Sequence, residues 1–271
     1  MSEVGFLIDF VDVNSEGLID PHDIETLIND ETFFVSIMHA NNEIGTIQPI
    51  DEIGCICRKN NIIFHSDCVQ AVPHLTLDVQ KSKLDMISFS AHKFHGPKGI
   101  GVLYCNKKIP LTPVIYGGAQ ERGKRGGTED VASIVGMAAA LKEVSSSLIT
   151  NEAKIRSLRD QLESKLLTIE NSHLNGSKEK RLSSIINIRF DGVDAETLLL
   201  LLDNKGICIS TGSACSSGSI EPSPVLLAMN LSKEEANNSI RISLSRYNSE
   251  SEIQTIYLEI KEAVRHLRSF N

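Results

Sequence analysis

Lys93 is the residue whose position most strongly suggests chemistry, because it lies between two segments that predict buried strands. Residues 86–90 are mostly apolar and precede it, and residues 100–105 follow after a Gly/Pro-rich turn. A buried ammonium costs free energy unless it is paired or used chemically, and a desolvated lysine amine becomes nucleophilic. Two interpretations fit Lys93 taken alone. It is either a desolvated amine that forms a Schiff base with pyridoxal phosphate (PLP) or a surface lysine whose stem packs on the fold.

Asp67 and Gln70 are a polar pair, three residues apart, after the apolar segment 62–65. A buried Asp is rare without a partner, and the protonated pyridine nitrogen of PLP is one such partner. Gln70 can donate a hydrogen bond to the phenolic oxygen of the same ring. The alternative is that Asp67 caps the segment that follows it. Ser90 and His92 can hold a phosphate group or, alternatively, satisfy backbone groups of their own loop.

Two loops carry weaker signals. Asn41 and Asn42 are compatible with a simple turn, since Asn tolerates positive φ. Residues 117–128 are glycine-rich and basic, a composition suited to anion binding through backbone amides. A flexible surface loop has the same composition, so this pattern alone does not decide between the two interpretations.

Cys215 is the candidate nucleophile of the second half of the chain. It lies in residues 211–218 (Thr-Gly-Ser-Ala-Cys-Ser-Ser-Gly), where small polar neighbours favour an exposed thiol. Cys208 lies in an apolar segment, which predicts a buried and inert thiol. Arg241 follows in the next predicted strand, and its fork of donors suits a carboxylate. A structural ion pair is the alternative for Arg241.

Short apolar segments alternate with helical segments in the first half of the chain, which predicts an α/β fold. Strands separated by helices imply crossovers and a largely parallel sheet, in which functional groups collect at the carboxyl ends of strands. The polar clusters 39–43, 66–70 and 92–93 each follow a predicted strand. The predicted strands are 6–11, 33–38, 62–65, 86–90 and 100–105, and the predicted helices are 21–28 and 49–58.

From Glu129 onwards the pattern changes to an α+β arrangement. We therefore predict a parallel-sheet domain over residues 1–149 and a smaller α+β domain over residues 150–271. The predicted elements here are helices at 131–170 (weakest near 145–147), 195–202 and from about Ser249, and strands at 185–189, 207–209 and 240–244.

The composition excludes several classes of protein. The chain has 271 residues, 41% of them hydrophobic, and its net charge of −8 argues against a general nucleic-acid surface. No apolar run approaches the ~20 residues of a membrane span, and the first ten residues do not have the pattern of a signal peptide. The six cysteines lie in separate contexts, which favours a reducing compartment over a disulfide framework. We expect a cytoplasmic protein.

At these residues the chain resembles the cysteine desulfurases, PLP enzymes of the class-V aminotransferase, fold-type I group. The matching segments come in the family's order and cover nearly the whole chain. The loop around Cys215 is similar to that of the enzymes that supply iron–sulfur cluster assembly, while selenocysteine lyases are a weaker match. The segments that carry the resemblance are 36–45, 64–71, 90–101, 117–128, 210–217 and 221–223.

The resemblance implies a role for each matching residue. Lys93 carries PLP covalently and moves the substrate α-proton, while Cys215 attacks the sulfur of the bound cysteine and keeps it as a persulfide. Asn42 and Arg241 bind the substrate carboxylate. No intrinsic metal is implied, although Cys215 is able to ligate an iron–sulfur cluster transiently. The residues implied in cofactor binding are Asn42, Asp67 (pyridine nitrogen), Gln70 (phenolic oxygen), Ser90 and His92 (phosphate), Lys93, and Thr128 (phosphate of the other subunit of a dimer).

The chain departs from the family in one respect. Family members begin with a segment that contains a Gly-Thr phosphate-binding loop and a histidine that stacks on PLP, and this sequence has no counterpart to it. The sheet is then expected to lack strands and to expose an edge or an apolar face unless a partner covers it. Three explanations for this difference remain open: the chain is a fragment, it is half of a split enzyme, or it keeps the fold without the activity.

The leading hypothesis is that a homodimer transfers sulfur from L-cysteine to Cys215 and then to an acceptor or iron–sulfur scaffold protein, leaving L-alanine. The first alternative is a catalytically silent binding module, or half of a split enzyme, that docks the same acceptors. The second alternative is a selenocysteine lyase.

Overall fold

The computed structural model of the chain describes residues 5–212 and 221–270. These residues form two compact units. The parallel-sheet unit comprises Asn29–His39 and Ile50–Leu148, and the antiparallel-sheet unit comprises the chain up to Ile28, Ala40–Pro49 and the chain from Ile149 onwards. The elements are, in chain order, α1 (Pro21–Leu27), β1 (Phe34–Met38), α2 (Ile50–Lys59), β2 (Ile63–Asp67), β3 (Met86–Ser90), a 3₁₀ helix (Ala91–Phe94), β4 (Gly101–Cys105), α3 (Gln120–Gly123), α4 (Val131–Ser146), α5 (Leu148–Leu166), β5 (Ser172–Asn175), β6 (Ile185–Phe190), α6 (Ala195–Asp203), β7 (Ser210–Thr211), α7 (Pro224–Ala228), α8 (Lys233–Asn237), β8 (Ser239–Ser243) and α9 (Glu250–Arg268).

The parallel-sheet unit is built on a sheet with the strand order β1-β2-β3-β4. The first three strands are parallel, and β4 runs antiparallel to β3. Helix α4 packs beside this sheet, where Val144 joins Ala91 and Phe94 in a buried apolar cluster. The carboxyl ends of β1, β2 and β3 therefore lie side by side. The chain that follows β3 packs against α4 through apolar side chains.

The antiparallel-sheet unit contains the larger apolar core. Its sheet has the order β5-β6-β8-β7, and every neighbouring pair is antiparallel. Helices α5, α6 and α9 bury apolar side chains against β6 and β8, and this burial stabilises the unit. The fully buried members of this core are Leu162, Leu166, Ile186, Ile188, Phe190, Leu198, Ile240, Ile260 and Val264.

Local sequence signals fix several helix ends. The side chain of Asp20 accepts a hydrogen bond from the His22 amide, and Pro21 opens α1. Ser249 and Glu252 form a reciprocal capping box at the start of α9. These caps satisfy amide groups that have no partner within the helix, so the helices begin where the sequence predicted.

The predicted α/β fold with a largely parallel sheet is confirmed. The strands predicted at 33–38, 62–65, 86–90 and 100–105 appear as β1 to β4, with every end within two residues of its prediction. In the second half, β6, α6, β8 and α9 appear where they were predicted, and α4 and α5 meet at Ser147, within the predicted weak point.

Two predicted strands are wrong. Residues 6–11 pair with no described strand, and Leu7 and Phe10 are 88% and 86% exposed, because an apolar segment becomes a strand only beside a partner. At 207–209, the amide of Ile207 instead donates to the Leu202 carbonyl and closes the end of α6. The strand there is β7, which begins only at Ser210. The sequence analysis did not predict α3, β5, α7 or α8, which are short and mostly polar or capped.

The two units differ from the predicted consecutive domains 1–149 and 150–271. The later boundary falls at Leu148–Ile149, but two earlier segments belong to the antiparallel-sheet unit. The contacts of Thr46 explain part of the difference for residues 40–49. Thr46 forms a β-bridge with Arg181, and its hydroxyl accepts a hydrogen bond from the Ser177 amide. Such pairings over more than a hundred residues are not visible in local sequence patterns.

Within residues 5–212 and 221–270, no single helix is both long and apolar enough to cross a bilayer; α4 and α5, bent by 72° at their junction, meet the length and composition criteria only as a pair.

Candidate active site

The carboxyl ends of the parallel strands bring several predicted residues to one edge of the sheet. In the strand register Asp67 on β2 lies beside Met38 on β1 and Ser88 on β3. Backbone hydrogen bonds continue past the strand ends, from the His39 amide to the Asp67 carbonyl (2.9 Å) and from the Cys68 amide to the Ser88 carbonyl (2.8 Å). The polar segments that follow β1, β2 and β3 therefore start from adjacent positions.

Asp67 is half-buried at this edge. One carboxylate oxygen, Oδ1, accepts a hydrogen bond from the Val69 amide at 2.9 Å, so the local capping role is present. Its negative charge opposes the effect of burial on His65, whose pKa is lowered because desolvation is the larger effect. Gln70 is also half-buried and lies in the turn that follows. The capping bond uses Oδ1 and is compatible with a second, ligand-directed role for the carboxylate.

Lys93 is exposed, not buried, in the described structure. The 3₁₀ helix has three residues per turn, so residues three apart lie on the same face. Ala91 and Phe94 are 0% and 1% exposed and face the core, which turns His92 and Lys93 to the opposite side. The exposure matches the second interpretation of Lys93, a lysine at the surface, and its Schiff-base role stays a prediction. The observed placement presents the amine and the imidazole outward from the end of β3.

Ser90 and Thr128 differ in their surroundings. Ser90 is half-buried and precedes the 3₁₀ helix, but its hydroxyl does not cap that helix. Thr128 is exposed and follows Gly127, whose φ of 106° is open to glycine and strained for other residues. The glycine-rich segment before Thr128 is a folded loop, in which the Gly126 amide donates to the Ile115 carbonyl at 2.8 Å.

The antiparallel-sheet unit brings Arg241 and Asn42 together. Arg241 lies on β8, between its register partners Asn187 on β6 and Ser210 on β7. Its Nη1 donates to the Asn42 carbonyl at 2.9 Å. The neighbouring Asn41 has the turn role, since its Oδ1 accepts from the amides of Glu43 and Ile44.

Glu43 is a buried residue that the sequence analysis did not single out. It is only 2% exposed and accepts a hydrogen bond from the Ser223 hydroxyl. Burial raises the pKa of Glu43, while the Ser223 hydroxyl and the positive charge of Arg241 oppose that shift. An acidic residue within an otherwise turn-forming segment was the available signal, but its partners lie about 180 residues away in the chain.

His39 is a second residue that the sequence analysis did not assign. Burial lowers the pKa of His39 to about 4, with the Asp51 carboxylate acting in the opposite direction. Its Nδ1 lies 3.9 Å from the sulfur of Cys68, whose pKa is raised to about 11, mainly by burial. At neutral pH the pair is therefore an uncharged imidazole beside a protonated thiol.

Cys215 lies outside the described residues, whereas the other five cysteines are all described and free. Cys208 is exposed, so the prediction that it is buried is wrong. The reason is that residues 207–209 do not form a strand within the sheet. Among the described residues, no group of three or more His, Cys, Asp or Glu side chains has the arrangement of a metal site.

Comparisons with known proteins place these residues in a family. The family model for class-V aminotransferases matches residues 1–256. The chain belongs to that family. A cysteine desulfurase IscS of Clostridium botulinum (strain Kyoto / Type A2) is 43% identical over 277 residues, covering 100% of this chain and 69% of its own length. The chain thus spans about two thirds of the length of the curated cysteine desulfurases that it matches.

Solved structures of the same family superpose on the chain. A NifS-like protein has a TM-score of 0.91 and 37% identity, with 98% of this chain and 70% of that chain covered. A protein named SspA, in complex with cysteine, has a TM-score of 0.77 and 36% identity, with 92% and 69% covered. The likeness extends through both units and supports fold type I for this chain.

The family implies PLP, and the groups at the edge of the parallel sheet fit it chemically. Asp67 offers a half-buried carboxylate to a pyridinium nitrogen, and the exposed Lys93 offers an amine to the aldehyde. Gln70, Ser90 and His92 add hydrogen-bond donors at the ends of the same two strands. This set contains one group of the right chemical type for each polar part of the cofactor.

Proposed function

We propose that the protein is a PLP-dependent cysteine desulfurase that converts L-cysteine to L-alanine and holds the released sulfur as a persulfide on Cys215. The observation that carries this proposal is the placement of the exposed Lys93 after β3, beside the parallel strand β2 that ends at the half-buried Asp67. A class-V aminotransferase needs an amine and a carboxylate in this arrangement to hold PLP. The relatives and structures named above favour neither the silent-module nor the selenocysteine lyase alternative.

The residues of the parallel-sheet unit would hold the cofactor. Asp67 would keep the ring nitrogen protonated, Gln70 would donate to the phenolic oxygen, and Ser90 and His92 would bind the phosphate. Lys93 would bind the cofactor covalently and then accept and return the α-proton of the substrate. When bound, PLP withdraws electrons from the substrate and weakens the bonds at its α- and β-carbons.

In the antiparallel-sheet unit, Arg241 and Asn42 would bind the substrate carboxylate. The guanidinium of Arg241 has a fork of donors that matches a carboxylate, and its Nη1 is held by the Asn42 carbonyl. This contact fixes the side chain before the substrate arrives, which lowers the entropy lost on binding.

The sulfur transfer balances without an external oxidant. The Cys215 thiolate attacks the substrate sulfur, so one S–S bond forms while the bond between sulfur and the substrate β-carbon breaks. The β-carbon takes the electron pair and a proton and becomes the methyl group of alanine, while the two sulfurs share the corresponding oxidation as a persulfide. An acceptor thiolate or an iron–sulfur scaffold protein then removes the terminal sulfur.

The proposal includes a homodimer, in which Thr128 of one subunit reaches the phosphate bound by the other. Thr128 is exposed at the end of a folded glycine-rich loop, which is compatible with a contact outside its own chain. Sedimentation of the full chain with and without PLP measures this association. If the protein with PLP bound sediments as a monomer, the proposed homodimer is wrong.

Covalent PLP binding through Lys93 tests the cofactor site. Added PLP is expected to give a visible absorption band that remains after gel filtration and disappears in Lys93→Ala. Lys98→Ala is the matched control, since Lys98 is an exposed lysine in the turn that follows the 3₁₀ helix. If the band is absent from the wild type, or equally strong in Lys93→Ala, the proposed cofactor site is wrong.

A further inference from the structure

Helix α2 packs closely on the segment 81–85 of the parallel-sheet unit, and a cysteine lies at this contact. Gly54 is buried there, and a β-carbon built on it would clash with the Ser82 carbonyl oxygen, so the close approach requires glycine. Cys55 comes next in the helix and is exposed. Lys83 comes next in the segment, with a φ of 53° that is costly for a residue other than glycine. The packing therefore holds the backbones that carry Cys55 and Lys83 against each other.

Ion pairs on both sides of Cys55 join the same helix face to the same segment. Asp51, one turn earlier in α2, pairs with Lys81 at 2.8 Å. Arg58, nearly one turn later, lies 3.6 Å from Asp85. Residues three and four apart share a face of a helix, so Cys55 lies in the middle of this row of contacts. The two carboxylates of the row are engaged by Lys81 and Arg58.

The amine of Lys83 is in direct contact with the sulfur of Cys55. Lys83 Nζ donates a hydrogen bond to Cys55 Sγ at 2.6 Å. This distance is shorter than the ~2.9 Å typical of a hydrogen bond from nitrogen to oxygen, although sulfur is the larger atom. Lys83 is half-buried and Cys55 is exposed, so a small oxidant can reach the thiol while the amine is held beside it. The pair therefore combines an oxidisable atom with a nucleophile that can capture the oxidised form.

We propose that Cys55 and Lys83 are a redox modification site, at which hydrogen peroxide converts the contact into a covalent sulfur–nitrogen cross-link. First, the Cys55 thiol takes one oxygen atom from peroxide and becomes a sulfenic acid, while the other oxygen leaves as water. The Lys83 nitrogen then attacks the sulfur, so the S–N bond forms and the S–O bond breaks. The ammonium gives up two protons, of which one leaves with the hydroxyl as water and the other enters the solvent. Sulfur thus loses the two electrons that peroxide gains.

The cross-link is reversible by thiols and does not depend on the desulfurase activity proposed above. Two molecules of an external thiol restore the Cys55 thiol and the Lys83 amine and become a disulfide. While the bond exists, it closes the chain between residues 55 and 83, which contains β2, Asp67 and Gln70. Closing a loop lowers the entropy of the unfolded chain, so peroxide is expected to stabilise this part of the parallel-sheet unit.

Peptide mapping of the full chain after peroxide treatment tests the cross-link. The remaining thiols are alkylated, and the protein is digested with trypsin and Glu-C for mass spectrometry. We expect two peptides joined through Cys55 and Lys83, together lighter by two hydrogen atoms than the separate peptides and released by dithiothreitol. The joined pair should be at least about tenfold more abundant than after the same treatment in urea, because the fold holds the two groups in contact. If no joined pair forms, or if it forms equally in urea, the proposed site is wrong.

Three variants identify the two reacting groups. Cys55→Ser removes the thiol, and Lys83→Asn removes the amine while keeping a residue type that tolerates positive φ. Both should lose the joined pair, and Lys83→Asn should instead accumulate a sulfenic acid on Cys55 that dimedone traps. Lys81→Asn is the matched control, since Lys81 is an exposed lysine two residues away that pairs with Asp51, and it should keep the joined pair. A pair at wild-type abundance in Lys83→Asn would overturn the proposal, and the comparison with urea tests the wild type without any substitution.

Urea denaturation measures the effect of the cross-link on stability. The peroxide-treated wild type should unfold at a higher urea concentration than the untreated protein, and dithiothreitol should reverse the shift. Cys55→Ser should show no such rise after the same treatment, which separates the cross-link from other oxidation. An unchanged midpoint in protein that mass spectrometry shows to be cross-linked would overturn the stabilising role.

Discussion

At the scale of single residues, the side chains with a proposed role are held by ordinary structural interactions. Asp67 accepts a backbone hydrogen bond while its carboxylate lies at the end of β2. Asn41 forms the turn that places Asn42, whose carbonyl fixes Arg241. The local roles of Asp67 and Asn41 are therefore confirmed, while the cofactor and substrate roles of Asp67, Asn42 and Arg241 stay predictions. The two interpretations considered from sequence are not exclusive.

Replacing Asp67 by Asn tests its proposed role with the ring nitrogen. Asn keeps an oxygen for the Val69 amide but does not hold a proton on the pyridine nitrogen by charge. We expect cysteine turnover to fall about 100-fold, the size typical of losing one preorganised electrostatic partner. Asp78→Asn is the control, because Asp78 makes the same type of bond to the Gln80 amide in an exposed turn. Equal turnover in the two variants would exclude the role of Asp67.

The cysteines are expected to differ in reactivity according to burial. Burial raises the pKa of both Cys57 and Cys68 to about 11, so their thiols stay protonated at neutral pH. Cys55 and Cys208 are exposed. Peptide mapping after brief iodoacetamide treatment at pH 7.5 should show alkylation of Cys55 and Cys208 at least about tenfold faster than of Cys57 and Cys68. Similar rates for the two groups would contradict the burial observed here.

At the scale of elements, local patterns predicted most of the strands and helices but not the orientation of their side chains. The apolar segments 86–90 and 100–105 became β3 and β4 as expected. The exposure of Lys93 depends instead on the phase of the 3₁₀ helix, which is set by the packing of Ala91 and Phe94 against α4. The false strand at 6–11 and the late start of β7 have a similar cause, since strands need partners that composition does not reveal.

Phe94 anchors the turn that presents Lys93. Its side chain is 1% exposed and packs with Val144 of α4, so Phe94→Ala should lower the free energy of unfolding by about 3 kcal/mol. The variant should also bind PLP more weakly, because the turn loses its apolar support. Urea denaturation and PLP titration measure these effects, with Lys98→Ala as an exposed control in the same segment. A change below about 1 kcal/mol would contradict the anchoring role of Phe94.

At the scale of the whole molecule, the chain is organised by contacts between distant segments. Residues 40–49 follow a strand of the parallel-sheet unit yet belong to the antiparallel-sheet unit. This short segment contains Asn42 and Glu43, whose partners Asn187, Ser223 and Arg241 come far later in the chain. The sequence identified Asn42 and Arg241 through the family resemblance. The hydrogen bond between Glu43 and Ser223 became visible only in the fold, since no local pattern links the two residues.

Stability is expected to depend on pH through His39. The pKa of this buried imidazole falls from its ordinary 6.5 to about 4, so between these values the unfolded chain binds more protons than the folded one. The contribution of His39 to the free energy of unfolding is therefore complete above pH 6.5 and is lost as the pH falls towards 4. Between pH 7 and 4.5 the wild type should lose about 2 kcal/mol more than His39→Gln does.

Urea denaturation at the two pH values measures this difference. His22→Gln is the control, because the side chain of His22 is 74% exposed. If His39→Gln loses as much stability as the wild type over this range, the burial of a neutral His39 is not supported.

The most direct test of the proposed desulfurase is the fate of sulfur on Cys215. The PLP-loaded protein is incubated with L-cysteine labelled with a heavy sulfur isotope, trapped with an alkylating reagent and analysed by peptide mass spectrometry. We predict that the peptide containing Cys215 gains one labelled sulfur atom, that alanine appears in equal amount in this single turnover, and that Cys215→Ser forms neither while Cys208→Ser forms both. Labelled sulfur on another cysteine, or on none, would contradict the account.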